Sequence, residues 1–98
     1  MYELRKTDVF VQWFDQLRDI RARARILVRL DRLADGNPGD AQPVGEGVSE
    51  LRIPYGPGYR VYYKKQKRSI VVLLVGGDKS TQVKDIKLAL RLARDLSE

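Results

Sequence analysis

The chain has 98 residues, enough for one domain with a modest core but not for two. It contains neither cysteine nor histidine, which excludes disulfides, cysteine nucleophiles, histidine-ligated metals and imidazole acid–base chemistry. The net charge is +6, and the positive charge is concentrated between Arg52 and Arg94, where eleven basic residues accompany two acidic ones. A field of this sign attracts phosphates, although many small basic domains bind no nucleic acid.

The N-terminal third predicts a short strand followed by two helices. Residues 2–6 are typical of a strand, and Thr7 or Asp8 is a suitable helix N-cap. Apolar residues at helical spacing then predict a first helix whose aromatic side chains enter the core. These residues are Val9, Phe10, Trp13, Phe14 and Leu17. A corner at 19–20 leads to a second helix over 21–34, which pairs with the first as an antiparallel hairpin.

The second helix carries a stripe of arginines opposite its apolar side. The apolar side has Ile26, Leu27, Leu30, Leu33 and Ala34, and the stripe has Arg21, Arg25, Arg29 and Arg32. Such a stripe is typical of a solvated helix face, and contact with an RNA backbone or an acidic partner is the alternative. Gly36 suits the C′ position of this helix, and Pro38 prevents its continuation.

Three antiparallel strands are predicted next, over 49–54, 59–65 and 70–75, after a loop or weak edge strand at 41–49. Pro57 and Gly58 suit the two central positions of a type II turn, inside a longer loop. Residues 65–68 predict the following turn. The third strand is wholly apolar, so we expect both its faces to be covered and its position to be central. We expect Gly76 and Gly77 to end it.

A final helix is predicted over 82–96, capped by Ser80 or Thr81. Its expected inward residues are Ile86, Leu90, Ala93 and Leu96 or Leu92. The chain is therefore predicted to be a single α+β domain over residues 1–98. The N-terminal strand and helical hairpin pack on one face of a twisted, mainly antiparallel sheet, and a C-terminal helix follows. We expect the helices to share one face of the sheet and the other face to be open.

Alternation along the two hairpin strands sorts their residues onto two faces. Leu51, Ile53, Val61 and Tyr63 point to the core, whereas Arg52, Arg60, Tyr62 and Lys64 point the other way. A surface of cations and an aromatic hydroxyl with almost no acid suits a polyanion. Glu50 lies on the Arg52 side and is placed to orient the arginines. The alternative is an ordinary surface ion pair of Arg60 with Glu50 or Asp78.

Taken together, these segments resemble the RelE/ParE toxin superfamily, and within it the phage-derived addiction-module killer proteins of the HigB-like group. The elements that carry the resemblance are GVSELRIPYGPGYRVYY at 47–63, LLVGGDKSTQ at 73–82, DI at 85–86 and RILVRLDRLADGNPGD at 25–40. The resemblance covers nearly the whole chain and implies a RelE-like fold.

The resemblance implies the toxin of a type II toxin–antitoxin module, an endoribonuclease that cuts mRNA on the ribosome and inhibits translation. Relatives use the 2′-hydroxyl of the RNA as nucleophile, without metal or cofactor. The implied partners are a cognate antitoxin, mRNA and 16S ribosomal RNA. The longest apolar run, 70–75, is too short for a membrane span, and no secretory signal is visible. We therefore expect a cytoplasmic protein without a membrane partner.

By this resemblance, Arg52, Arg60 and Lys79 are the catalytic candidates. The arginines suit the charge that grows on phosphorus, since a guanidinium binds phosphate oxygens in a bidentate manner. Some relatives place a tyrosine or histidine in or near the last helix as an acid or base, where this chain offers Lys84. The further candidates for RNA binding or proton transfer are Tyr62, Lys84 and Lys64.

Two other functions remain open at this stage. The first is a ParE-like inhibitor of DNA gyrase without nuclease activity, which has no need of a cationic cluster on the sheet. The second is a non-catalytic RNA-binding module, which would cause no growth arrest.

Overall fold

The computed structural model describes residues 1–96 as a five-stranded sheet between two helical layers. The elements are β1 (Glu3–Lys6), α1 (Asp8–Gln16), α2 (Ile20–Ala34), β2 (Ala41–Gly45), β3 (Val48–Ile53), β4 (Tyr59–Lys67), β5 (Ile70–Asp78), a 3-10 turn (Lys79–Thr81) and α3 (Gln82–Arg94). The strand order is β1-β5-β4-β3-β2. Only β1 pairs in parallel, with β5, among these strands. The predicted α+β class and mainly antiparallel sheet are confirmed.

The helix boundaries follow from capping side chains. Thr7 Oγ1 accepts a hydrogen bond from the Phe10 N–H at 3.1 Å and donates to the Leu74 carbonyl at 2.6 Å, which ties the start of α1 to β5. Asp19 caps α2 by accepting from the two N–H groups that follow Ile20. Gly36 ends α2 with a φ of +88°, a left-handed conformation that favours glycine.

One face of the sheet is covered by α1 and α2. The predicted aromatic residues of α1 lie in this layer, with Phe10 buried and Trp13 and Phe14 packed around it. The ring centroids of Phe10 and Trp13 are 5.8 Å apart, and those of Phe10 and Phe14 are 6.1 Å apart. This core also receives Ala22, Ile26, Leu30, Leu33, Leu51, Ile53, Tyr59, Val61, Tyr63, Val71 and Leu73.

The other face is covered by α3, so the expectation of an open face is wrong. Val72, Leu74 and Val75 of β5 are apolar and point to this side, and burying them requires a second layer. Ala89 and Ala93 provide the contact, because small residues let a helix approach the sheet closely. The long residues predicted to point inward, such as Ile86 and Leu90, flank this alanine ridge and are only partly buried.

Strand β5 continues through both glycines instead of ending at them. A β-carbon on Gly76 would lie 2.0 Å from the Trp13 ring, and one on Gly77 would lie 1.9 Å from Asp85 Oδ2. The two glycines therefore admit side chains from opposite faces of the sheet, as glycine in a strand often does. The expectation that both faces of β5 are covered is confirmed, and β5 is an interior strand between β1 and β4.

The turns differ from the predictions in detail. Residues 41–45 form the edge strand β2, one of the two predicted alternatives, whereas β4 runs to Lys67 where a turn was expected. The β3–β4 turn is closed by a hydrogen bond from the Gly58 N–H to the Tyr55 carbonyl at 3.1 Å. This bond places Gly56 and Pro57 at the centre of the turn, one residue earlier than predicted. Gly56 has a φ of +57° there.

Within residues 1–96, no helix combines the length and the apolar character that crossing a bilayer would require.

Candidate functional site

Two arginines face each other across β3 and β4. The register pairs Arg52 with Arg60 and Glu50 with Tyr62, and all four side chains lie on the α3 side of the sheet. Like charges directly opposite each other destabilise a strand pair unless a counter-charge lies between them. Here the counter-charge is Glu50.

Glu50 is the organising acid of this cluster and is only 1% exposed. Its Oε1 accepts from Arg52 Nε at 3.0 Å, and its Oε2 accepts from Tyr62 Oη at 3.0 Å and Gln82 Nε2 at 2.8 Å. Arg60 Nε lies 3.6 Å from Oε2. Burial alone would raise the pKa of Glu50, but the hydrogen bonds that it accepts and the charge of Arg60 hold this pKa below its ordinary value.

Arg60 is largely buried but is incompletely hydrogen-bonded. Its side chain is 12% exposed, and its closest hydrogen bond is from Nη1 to the Gly58 carbonyl at 3.4 Å. Its buried Nε makes no hydrogen bond to any part of the chain that the structure describes. Buried polar groups are nearly always hydrogen-bonded, so an unsatisfied guanidinium nitrogen requires an explanation. Within residues 1–96 the ion pair of Arg60 is with Glu50, not with Asp78.

Arg52 is more accessible, with 38% of its side chain exposed. Its Nη2 donates to Gln42 of β2, and its backbone carbonyl accepts from Arg29 Nη1 of α2. Two guanidiniums thus share a single carboxylate, and the cluster keeps a net positive charge. Such a site is suited to bind one further anion.

The structure brings Lys79 next to Arg60. Lys79 opens the 3-10 turn directly after β5 and is exposed. The Lys79 β-carbon and Arg60 Nη1 each lie 3.6 Å from the position that a β-carbon on Gly58 would take. The neighbouring Asp78 is occupied in capping this turn, since its Oδ1 accepts from the Ser80 N–H at 2.8 Å.

Tyr62 lies on the expected side of the sheet but not at its surface. It is fully buried beneath α3, so the expectation of an exposed hydroxyl is wrong. Burial and the hydrogen bond to the Glu50 carboxylate raise the pKa of Tyr62 above its ordinary value. This geometry suits a hydroxyl that orients Glu50 and not one that reaches a substrate.

The remaining two candidates lie outside the Glu50 cluster. Lys64 is four residues further along β4 than Arg60, about 13 Å away, and its stem packs against Gly47 of the β2–β3 turn. Lys84 is exposed on α3 and lines a shallow cleft of about 810 Å³ together with Lys79, Lys87 and Arg91.

Sequence reasoning missed Gln82 and Asp85. Asp85 is buried and accepts a hydrogen bond from Thr81 Oγ1 at 2.5 Å. Gln82, Asp85, Ala89 and Ala93 lie three or four residues apart and form the side of α3 that faces the sheet. An inward stripe that begins with two polar residues indicates a buried polar site, and this pattern was available in the sequence. The described residues include no group of three or more metal-ligating side chains.

The fold is similar to that of the RelE toxin of E. coli. The isolated RelE toxin superimposes with a TM-score of 0.69 at 15% sequence identity, covering 98% of this chain and 100% of that chain. The intact E. coli RelBE toxin–antitoxin complex contains a chain that superimposes with a TM-score of 0.69 at 16% identity, covering 80% and 96%. The RelE-like fold implied by the sequence is therefore confirmed.

Two sequence comparisons place the chain in a family. An uncharacterized protein of Haemophilus influenzae (strain KW20 / Rd) is 50% identical over 94 residues, which are 96% of this chain and 95% of that protein. The family model described as phage-derived protein Gp49-like (DUF891) matches residues 12–97. Because this match spans most of the sequence, the chain belongs to the family of phage-derived Gp49-like proteins.

Proposed function

We propose that this protein is the toxin of a type II toxin–antitoxin module and acts in the cytoplasm as a ribosome-dependent, metal-independent mRNA endonuclease. The observation that supports the proposal most is the arrangement of Arg52 and Arg60 around the single carboxylate of Glu50, with Lys79 beside them. The RelE-like fold supports it independently, since RelE is a toxin with a protein antitoxin in the matched complex.

The proposed reaction cleaves RNA through its own 2′-hydroxyl. The 2′-oxygen forms a bond to phosphorus as the bond to the 5′-oxygen breaks, which leaves a cyclic phosphate and a free 5′-hydroxyl. A base takes the proton from the 2′-hydroxyl, an acid returns one to the 5′-oxygen, and cations stabilise the charge that develops on the phosphoryl oxygens.

Arg60 is the principal phosphate ligand in this proposal. Its side chain is largely removed from water, and Nη1 makes only one long hydrogen bond, to the Gly58 carbonyl at 3.4 Å, so a phosphate oxygen would be a stronger partner for this end of the guanidinium. Arg52 contributes the second, more exposed guanidinium. Both are held in place by Glu50, which is itself fixed by Tyr62 and Gln82. A positioned charge of this kind need not reorganise during the reaction.

Proton transfer is assigned to exposed groups. Lys79 is the first candidate, because it lies beside Arg60, and Lys84 is the second, because it shares the cleft with Lys79. We place Lys64 further along the path of the RNA, as a contact to its phosphates.

The test is induced expression in bacteria, with and without the product of the neighbouring gene, combined with mapping of mRNA 5′ ends. We expect growth arrest and cleavage within codons, both abolished by Arg60→Ala and reduced by Arg52→Ala or Lys79→Ala. Lys6→Ala serves as the control, since Lys6 is exposed on β1 at the far edge of the sheet. Intact mRNA together with DNA-damage signalling would indicate a gyrase inhibitor, and normal growth would indicate a non-catalytic RNA-binding module.

A further inference from the structure

A groove of about 500 Å³ lies between α2 and the end of β3, away from the Glu50 cluster. Its floor is apolar and consists of Ala24 and Val28 of α2 with Pro54 and Tyr55 after β3. We call it the α2 groove. Arg21 and Arg32 line it towards the two ends of α2, so that an apolar floor is bordered by exposed cations.

The arginine stripe of α2 is divided into structural and exposed members. Arg29 is structural, because it donates to the carbonyls of Pro38 at 2.9 Å and Asp40 at 3.2 Å and also to that of Arg52. Arg25 stacks on the ring of Tyr55, with its guanidinium carbon 4.5 Å from the ring centroid. Arg21 and Arg32 are exposed to solvent at opposite ends of the groove.

The floor presents apolar surface to solvent. Val28 is 49% exposed and lies one helical turn from Ala24, which is exposed as well. Tyr55 completes the surface from the other side and is partly buried against the core. A single exposed valine is ordinary, but here it adjoins the tyrosine across a concave surface.

We propose that the α2 groove binds a segment of the antitoxin in which apolar side chains are flanked by carboxylates. The apolar side chains would cover Val28 and Tyr55, and the carboxylates would pair with Arg21 and Arg32. This inference rests on the proposed function in taking the partner to be an antitoxin. Arg21 and Arg32 are eleven residues apart, or about 16 Å along the helix. The two carboxylates are therefore about eleven residues apart in a helical segment, or about five in an extended one.

The composition of the groove favours a peptide over RNA. An RNA backbone requires cations along its whole path, whereas here the middle of the path is valine, alanine and proline, Arg29 is hydrogen-bonded to backbone and Arg25 lies over the ring of Tyr55. Acidic residues at both ends of an apolar segment match this arrangement, since rim charges set register and partner choice while the apolar centre provides affinity.

The experiment measures the dissociation constant between the purified full-length protein and the purified product of the neighbouring gene by isothermal titration calorimetry. We expect Val28→Asp and the double change Arg21→Glu/Arg32→Glu each to weaken binding by about tenfold or more. Lys6→Glu is the control for a charge reversal away from the groove and should bind like the unchanged protein. Ala24→Asp provides a second exposed floor variant, and circular dichroism establishes that each variant is folded.

Restoration by charge exchange sharpens the test. Replacing the two acidic residues of the bound antitoxin segment with lysine should weaken binding to the unchanged protein and restore it to the Arg21→Glu/Arg32→Glu variant. In cells, Val28→Asp should still arrest growth but should resist rescue by the antitoxin.

The inference is overturned if the floor and rim variants bind the antitoxin like the unchanged protein, or if the unchanged protein does not bind it. It is also overturned in favour of RNA if Arg21→Glu/Arg32→Glu weakens binding of a single-stranded RNA oligonucleotide, with steep salt dependence, and leaves antitoxin binding intact. If the unchanged protein binds the antitoxin but cuts no mRNA, and the groove variants lose antitoxin binding, the α2 groove remains the antitoxin site. Only the nuclease proposal is then refuted.

Discussion

The two ends of α3 are both joined to the β2–β3 part of the sheet through a glutamate, but in opposite environments. At the N-terminal end, Glu50 is buried and accepts hydrogen bonds from three side chains, including Gln82 of α3. At the C-terminal end, Glu46 accepts two hydrogen bonds from Arg94, at 2.6 and 2.8 Å, and both side chains are about half exposed. The same chemical groups therefore serve different purposes at the two ends.

The difference shows how burial determines what a carboxylate does. An exposed ion pair is screened by water and salt and contributes little to stability. A buried carboxylate must be satisfied by several donors, and it holds those donors in one geometry in return. Glu50 thus fixes the two arginines of the proposed site, whereas Glu46 only contacts the C-terminal end of α3 through Arg94.

Removal of the buried acid should have the largest effect on stability. We expect Glu50→Ala to lower the free energy of unfolding by about 3–5 kcal/mol, because it leaves Arg60 and Arg52 facing each other without a counter-charge. Urea denaturation measures this change. Glu46→Ala is the comparison and should cause only a small change, and equal effects of the two substitutions would contradict the distinction drawn here.

Arg60→Ala should affect the proposed reaction more than the fold. We expect the rate of mRNA cleavage on ribosomes to fall by about 10²–10³, the usual effect of removing one preorganised charge donor. Arg60→Lys should recover only part of the rate, since an ammonium lacks the planar fork of a guanidinium. Arg94→Ala is the matched control at the other end of α3. A cleavage rate unchanged by Arg60→Ala would refute the assigned role.

A methyl group on Gly77 should loosen the N-terminal end of α3. The added β-carbon would lie 1.9 Å from Asp85 Oδ2 and 2.8 Å from Thr81 Oγ1, so these side chains, and the first turn of α3 that carries Asp85, are expected to shift. We expect Gly77→Ala to cost about 1–3 kcal/mol in the free energy of unfolding, as overpacking usually does. Hydrogen exchange should show faster opening of the first turn of α3. Unchanged exchange in that turn would show that Asp85 can move aside without cost.

Lowering the pH should remove the contribution of the buried Glu50 carboxylate to stability. The pKa of Glu50 is lowered in the folded state from its ordinary value of 4.5, so its contribution to stability is complete above that value and declines as pH falls through the folded pKa. We expect Glu50→Gln to be less stable than the unchanged protein at neutral pH, and the gap to narrow at low pH. Thermal unfolding across this range measures it. A gap independent of pH would mean that the charge of Glu50 is not what stabilises the cluster.

The smallest effect is expected at the exposed end. Arg94→Ala should change the melting temperature only slightly at low salt, and this change should vanish at high salt because the ion pair is exposed. The contribution of Glu50 should persist in the same salt. If salt reduced both contributions equally, burial would not be what separates the two glutamates.

Much of the fold could be predicted from local patterns. Thr7 marks the start of α1 because it caps the helix, and Gly36 marks the end of α2 because it adopts a left-handed backbone. The apolar run of β5 marks a buried strand. All three are local properties of the chain. The layer in which α3 packs could not be predicted in this way. That choice depends on Val72, Leu74 and Val75 sharing one face of β5, and an irregularity in the β4–β5 register near Tyr63 puts Leu74 and Val75 on the same side.

The candidate site was predictable to a similar extent. Strand alternation placed Arg52, Arg60 and Glu50 on one face without any knowledge of the tertiary structure. It could not show that Tyr62 on that face is buried, because the covering helix comes from twenty residues further along the chain. The contact of Gln82 with Glu50 was unpredictable for the same reason, since it joins two elements that are distant in sequence, although helical spacing could have placed Gln82 on the inward side of α3.

The paired glycines of β5 lead to an expectation about natural variation. Gly76 makes room for the indole of Trp13 on one side of the sheet, and Gly77 makes room for Asp85 on the other. A larger residue at 76 is tolerable only with a smaller one at 13, and a larger residue at 77 only with a smaller one at 85. Among homologues, residues 76 and 13 should therefore vary together, as should residues 77 and 85, and the two pairs should vary independently of each other.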